Sequence, residues 1–460
     1  MVRFDTLCID DARRLVFGRA PHPVQCGLDL RIGAGDVHPE LNFTLPAMAI
    51  EPDTWPRVVE RYDATVAAVL TRARVLDVSG LVVEFEHLPP MTERASWGAE
   101  LTERIAQQLR AAHEAWGLKA ALRVTVVDLR DGVKPPRRRR GEAWEQMAAS
   151  LRACAAAGAD ILSIESTGGK EVHDPALTRA DTPGIVFALG VLAARDMAWL
   201  WDRFTETART TNRHVVPGGD TACGFANTAM QLAGQQMLPD VLAALVRAMS
   251  AARTLVAHEH GAVGPSKDCA YENPIIKAIT GCPISMEGRS ATCAHLSPVG
   301  NIAGAAADLW SNESVPDVRL LSGPAPLACF ESLVYDCRLF NTATRRAAAG
   351  ALRDIHVSSD AGGSAQGALM TPEATIRIAQ AIVEKTGSYE RVRAAGRAAL
   401  ALLREALAER RLNLPARERR WLDKLERDFD GLPDEPDELR ARIAPRYGAL
   451  YDAAEYGLLP

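Results

Sequence analysis

Short apolar runs alternate with stretches of helical spacing along most of the chain. Strand-like runs fall at 81–86 (L-V-V-E-F-E), 122–128 (L-R-V-T-V-V-D), 160–165 (D-I-L-S-I-E) and 214–218 (H-V-V-P-G). Four more fall at 254–259 (T-L-V-A-H-E), 282–286 (C-P-I-S-M), 318–322 (V-R-L-L-S) and 355–359 (I-H-V-S-S). Between them apolar residues recur at a period near 3.6, as in 99–113, 143–154 and 227–238. Eight strands alternating with helices predict an α/β fold, a (β/α)8 TIM barrel. A doubly wound open sheet is the alternative, but it calls for G-x-G-x-x-G after the first strand, and E-H-L-P-P-M-T stands there.

The ends of the chain depart from this rhythm. The first forty residues, rich in Pro, Gly and His, read as an irregular segment. From about Thr371 the chain is strongly helical and charged, with a turn at Pro433 and Pro436. The expected organisation is a barrel domain over 1–370 and a helical extension over 371–460 packed on its outside.

Composition narrows the function classes. At 460 residues and 47% hydrophobic, the chain has ample material for a large core. A net charge of −5 and 5% aromatic residues argue against a general nucleic-acid binder. The N-terminal M-V-R-F-D-T-L-C-I-D-D lacks the basic-then-apolar pattern of a signal peptide, and the apolar run 184–194 is too short for a bilayer span. The expectation is a soluble, cytoplasmic protein. Its nine scattered cysteines then read as free thiols or metal ligands.

Three Gly-rich stretches carry the candidate chemistry: I-L-S-I-E-S-T-G-G-K, G-G-D-T-A-C-G-F-A-N and G-P-S-K-D-C-A-Y-E-N-P. Each follows an apolar run and precedes a helix-like one. Glu165, Cys223 and Cys269 therefore fall at the C-terminal ends of strands, where barrel active sites form. Two sulfurs and one carboxylate can hold a zinc ion and leave its fourth position open. The competing reading makes the cysteines small core residues; a carboxylate before S-T-G-G-K is a poor core residue. Asp220 and Asp268 lie three and one residues before the cysteines, and each could handle a proton, support a ligand, or cap a helix. Lys170 and His173 lie beyond the S-T-G-G turn, and His258, Glu259 and His260 end the predicted fifth strand. The run Arg137–Arg140 reads as a solvated loop or a surface for an acidic partner. Cys282 and Cys293 read as inert thiols, and Arg289 as the partner of a nearby carboxylate.

At these residues the chain resembles a known family. S-I-E-S-T-G-G-K-E-V-H-D (163–174), G-G-D-T-A-C-G-F-A-N-T-A (218–229) and the run from Gly261 to His295 are similar to the zinc-containing, methanol-activating subunit of methanol:corrinoid methyltransferases. P-P-M-T at 89–92 and the following W-G-A-E-L-T fit as well, and the likeness extends to about residue 390. The resemblance implies a zinc-bearing TIM barrel that presents methanol to the cobalt(I) of a partner corrinoid protein. It implies Glu165, Cys223 and Cys269 as the zinc ligands, and a homo-oligomer that also binds the corrinoid protein. Another methyl donor, such as a methoxylated compound, would use the same chemistry. A zinc hydrolase on the same barrel is the other class; it calls for a histidine-rich shell and a general base.

Overall fold

The computed structural model describes residues 2–43, 48–267, 269, 271–314, 318–321 and 323–458. Seven parallel strands form one sheet: β3 (His38–Phe43), β4 (Gly80–Glu86), β5 (Lys119–Val126), β6 (Ile161–Ile164), β7 (Val216–Asp220), β8 (Ser285–Glu287) and β9 (Leu309–Ser314). Their order is β7-β6-β5-β4-β3-β9-β8, each neighbour parallel to the next. Residues 263–266 span the gap between the edge strands. The Val263 and Gly264 amides donate to Pro217 and Gly218 of β7, and Ser266 bridges in parallel to Ile284 beside β8. The result is a TIM-barrel-like α/β fold.

Glycine makes that closure possible. A Cβ on Gly218 would stand 2.6 Å from Ile161 and 3.1 Å from the Pro265 carbonyl, and one on Gly219 would stand 3.0 Å from the Ser266 backbone. Only residues without a side chain let the 263–266 segment approach β7 this closely.

Alternation along the strands sorts the two faces. On β4, Leu81, Val83 and Phe85 face the surrounding helices, while Val82 joins a small cluster with Ala121, Ile161, Val216 and Leu309 inside the barrel. A hairpin of β1 (Arg19–Cys26) and β2 (Leu30–Ala34) plugs that cluster from below with Cys26, Leu30 and Ile32. Above the plug the interior turns polar. Arg123 Nε donates to Glu40 Oε1 at 2.6 Å, Arg123 Nη1 donates to Ser163 and to the Pro265 carbonyl, and Ser285 donates to Glu40. Both members of the ion pair are fully buried.

The structure corrects several expectations. The first forty residues are not irregular: they hold the hairpin and begin the barrel strand β3. The run 254–259 lies in a helix, Asp240–Glu259, and 355–359 in another, Ala349–Asp360. Of 318–322, Arg319–Leu320 is half of a two-residue hairpin outside the barrel sheet, and residue 322 lies outside the described residues. Leu309–Ser314 is a barrel strand that no predicted run covers. The strands at 80–86, 119–126, 161–164, 216–220 and 285–287 agree with the pattern.

Helices Pro372–Val383, Ser388–Ala408, Ala416–Asp430 and Pro436–Tyr447 share one apolar cluster with Asp240–Glu259 and with the continuous helical stretch Thr182–Thr210. Those last two are long and apolar enough to cross a membrane by length and composition, and both are packed inside the fold.

The buried Arg123–Glu40 pair sets a stability prediction. Removing one partner strands a buried charge, at a cost of about 3–5 kcal/mol. Arg123→Ala is expected to lower the free energy of unfolding by that order in denaturant titration. An unchanged unfolding midpoint would show that the pair does not hold the barrel interior.

Candidate metal centre

Three loops converge at the C-terminal mouth of the barrel. Glu165 directly follows β6, Cys223 opens a helical turn just after β7, and Cys269 follows the closing segment 263–266. The topology therefore brings the three predicted ligands together, although the helix over 254–259 was not the element expected to deliver the third. Their donor atoms all lie within 4.8 Å of one another. Cys269 Sγ donates to Glu165 Oε1 at 3.6 Å. Cys269 and Tyr271 hold left-handed backbone conformations, φ 47° and 63°. Such strain in non-glycine residues costs on the order of 1–3 kcal/mol each and persists where surrounding structure imposes it.

The thiols disfavour ionisation while no cation is bound. At Cys223 a hydrogen bond with Cys269 lowers the pKa, but burial and the Glu165 carboxylate outweigh it and push the value up to about 11. At Cys269 burial, then Cys223 and Glu165, hold the pKa well above the ordinary thiol range, with Lys267 pulling the other way. Two sulfurs and a carboxylate suit a borderline-soft divalent cation and fit poorly with the all-oxygen preference of magnesium or calcium.

A cation from the chain itself lies below the ligands. Lys267 Nζ stands 3.3 Å from Glu84, 3.4 Å from Glu86 and 3.6 Å from Glu165, with its side chain buried. Thr125 donates to Glu84 and Asn42 to Glu86. On the other flank Asn227 Nδ2 reaches Cys223 Sγ at 3.7 Å. Beside it Glu287 accepts from Tyr271 at 2.6 Å and pairs with His295 at 3.1 Å. None of these was read from the sequence as part of the site. The available signal was Glu84 and Glu86, two charges on alternate positions of a run otherwise apolar, and Lys267 inside the G-P-S-K-D-C motif.

Asp220 is fully buried. Its oxygens accept from the Ser166 and Thr221 amides at 3.2 and 2.8 Å and from Trp201 Nε1 at 3.1 Å, with Arg253 3.4 Å away. Burial raises its carboxyl pKa against the pull of Arg253. These bonds tie the residue after Glu165 to the loop that leads to Cys223. Arg253 doubles the tie by donating to Ser166 and to the Thr221 carbonyl. Asp268 lies outside the described residues. Lys170 Nζ donates to the Gly224 carbonyl at 2.9 Å, pinning the loop of one ligand to that of another. His173 is buried beside Phe225. His258 and Glu259 end a helix rather than a strand and His260 caps it; His258 Nε2 lies 3.3 Å from Ser266 Oγ, Glu259 pairs with Arg391 and His260 with Asp202. Arg289 pairs with Asp336, Cys282 is buried and Cys293 is exposed. The expectation of a solvated Arg137–Arg140 run is corrected at Arg138, which is fully buried and bonded to Asp131, Thr167, Glu171 and Tyr456.

Because both thiols are protonated near neutral pH, cation binding must displace their hydrogens, roughly two per site. Affinity is therefore expected to rise with pH through neutrality. Calorimetric titration with zinc in buffers of different ionisation enthalpy measures the release. Binding without proton release would reject the two sulfurs as ligands.

The comparisons with known proteins bear on the same residues. The family model for MtaB, the methanol-cobalamin methyltransferase B subunit, matches residues 1–457. A methanol–corrinoid protein co-methyltransferase of Methanosarcina barkeri strain Fusaro is 35% identical over 450 residues, covering 97% of this chain and 96% of that protein. Among solved structures, the methanol:cobalamin methyltransferase complex MtaBC of Methanosarcina barkeri contains a chain that superposes with a TM-score of 0.94 at 34% identity, covering 99% of this chain and all of that one. With the barrel, its three converging ligand loops and a likeness that runs the length of the chain, the protein belongs to the methanol-cobalamin methyltransferase B subunit family.

Proposed function

We propose that this methyltransferase takes the methyl group of methanol and passes it to the corrinoid of a partner protein, using a zinc ion held by Glu165, Cys223 and Cys269. The observation that carries the reading is the convergence of two sulfurs and one carboxylate within 4.8 Å at the barrel mouth. The names of the similar proteins, a methanol–corrinoid co-methyltransferase and the MtaBC complex, support the donor and the acceptor.

Hydroxide is a poor leaving group, and a zinc ion supplies the Lewis acidity that polarises the methanol C–O bond. The chain's residues do the rest. Glu165, Cys223 and Cys269 would hold that ion as three protein donors, the ligand count of catalytic rather than structural zinc sites. The plugged barrel closes the site from below, so the methyl carbon can meet its acceptor only from the mouth side. Asp220 and Arg253 hold two ligand loops at fixed separation, and such alignment of reacting atoms is worth several kcal/mol of barrier. Lys267 offsets the negative charge that Glu84, Glu86 and Glu165 bring to the floor. Asp220, with its oxygens engaged, fits a positioning role. Asp268, next to Cys269 in sequence, is the proposed handler of the proton at the leaving oxygen.

Nine cysteines free of disulfides suit a reducing compartment, and the proposed setting is the cytoplasm. Self-association alongside the corrinoid partner is part of the same proposal.

The test combines metal analysis with methyl transfer from methanol to cob(I)alamin. Cys223→Ala and Cys269→Ala are expected to drop bound zinc from about one per chain towards zero, as a three-ligand site requires, and to abolish methylcobalamin formation. Retained zinc in both variants would reject the ligand set. Full zinc with transfer from a methoxylated compound but not from methanol would reject the donor.

A further inference from the structure

The turn that carries Glu165 is held from an unexpected direction. Residues Ala453–Tyr456 form a short helical turn, capped by the Asp452 carboxylate on the Ala454 amide, and it buries Tyr456 completely. A tyrosine hydroxyl has one hydrogen to give and can accept as well, and here both capacities are engaged. Tyr456 accepts from the Gly169 amide at 2.9 Å and from Arg138 Nε at 3.0 Å, and it donates to Glu171 Oε1. Burial holds the pKa of this hydroxyl well above its ordinary value, so it keeps its hydrogen for Glu171.

Arg138 joins the two sides. Its Nη2 donates to Glu171 Oε2 at 2.7 Å, and its Nη1 to Thr167 Oγ1 at 2.8 Å. Asp128 accepts from the Thr167 amide and hydroxyl at 2.8 and 3.0 Å. Thr167 and Gly169 belong to the turn that begins at Glu165, and Glu171 to the first turn of the helix that follows it, Lys170–Thr178. Gly169 takes a left-handed φ of 88°, which aims its amide at the tyrosine. Glu455 fastens the Ala453–Tyr456 turn to the loop that carries Arg138, accepting from the Arg139 amide at 2.8 Å and pairing with Arg140 at 2.6 Å.

We propose that Tyr456 is a positioning residue for Glu165. A segment nearly three hundred residues downstream sets the direction of the one oxygen ligand, through Gly169, Glu171 and Arg138. The inference rests on the metal-centre reading given above. Removing the hydroxyl leaves the Gly169 amide and the Arg138 guanidinium each short of an acceptor in a dry environment, which a cooperative buried network does not absorb locally. The turn then loses register and the carboxylate its aim.

The experiment is zinc affinity of the full chain, read by competition with a chromophoric chelator. Tyr456→Phe is expected to weaken zinc binding about tenfold or more, the usual effect of losing a group that orients a ligand. Tyr389→Phe is the control: Tyr389 donates to the Pro433 carbonyl at 2.6 Å, away from the ligand turn. The control should lower thermal stability and leave zinc affinity as it was. The proposal is overturned if Tyr456→Phe binds zinc like the parent, or if Tyr389→Phe weakens it equally. Should Tyr456→Phe fail to fold, Glu455→Gln carries the test, with weaker zinc binding expected and parent-like binding overturning the proposal. Zinc bound by neither parent nor variants would sink the metal reading, and this inference with it.

Discussion

Two sulfurs and a carboxylate held within 4.8 Å form an arrangement that opposes its own ionisation. The Glu165 carboxylate raises the pKa of both thiols, Cys223 raises that of Cys269, and burial adds to the effect, outweighing the hydrogen bond by which Cys269 lowers that of Cys223. A divalent cation, as proposed, would resolve the conflict by favouring the charged form of all three groups. Without some outside restraint, the loops that carry these groups would relax apart. Much of the surrounding structure acts as that restraint.

The restraint includes buried ion pairs and hydrogen bonds from charged side chains. Arg253 and Asp220 join two ligand loops, Lys170 joins the turn after Glu165 to the Cys223 turn, and Arg138, Asp128 and Tyr456 grip the Glu165 turn from outside. Removing one partner of such a pair costs far more than the pair contributes net. Their worth lies in a single geometry, since a partly satisfied buried network is worse than an apolar one. The same economy explains the polar barrel interior, where Lys267, Glu84 and Glu86 occupy positions that an ordinary barrel fills with Val and Leu.

That interior also governs what the sequence discloses. β4, β5 and β6 were legible because their apolar positions dominate, and the ligand motifs after β6 and β7 were legible with them. β3 was not: in H-P-E-L-N-F the inward positions are Glu40 and Asn42, so polarity demanded by the site hides the strand. β9, L-W-S-N-E-S, is masked by Ser311 on the inward face and Asn312 on the outward one, both buried. The opposite error arose at 254–259. The helix Asp240–Glu259 is buried on nearly every side, so it shows no polar face, and a six-residue window cut from it looks like a strand. The run Arg137–Arg140 shows the limit of charge patterning. Four like charges in a row read as solvent-facing, yet one of them enters the fold because Glu171, Asp131 and Tyr456 wait there. Contacts between residues 138, 171 and 456 leave no local trace in composition or period.

The central claim is that Glu165, Cys223 and Cys269 share one cation. Zinc K-edge X-ray absorption on the purified, zinc-loaded protein addresses it directly. The account predicts two sulfur scatterers at about 2.3 Å and oxygen scatterers at about 2.0–2.2 Å. A first shell of oxygen and nitrogen alone, with no sulfur, would contradict it.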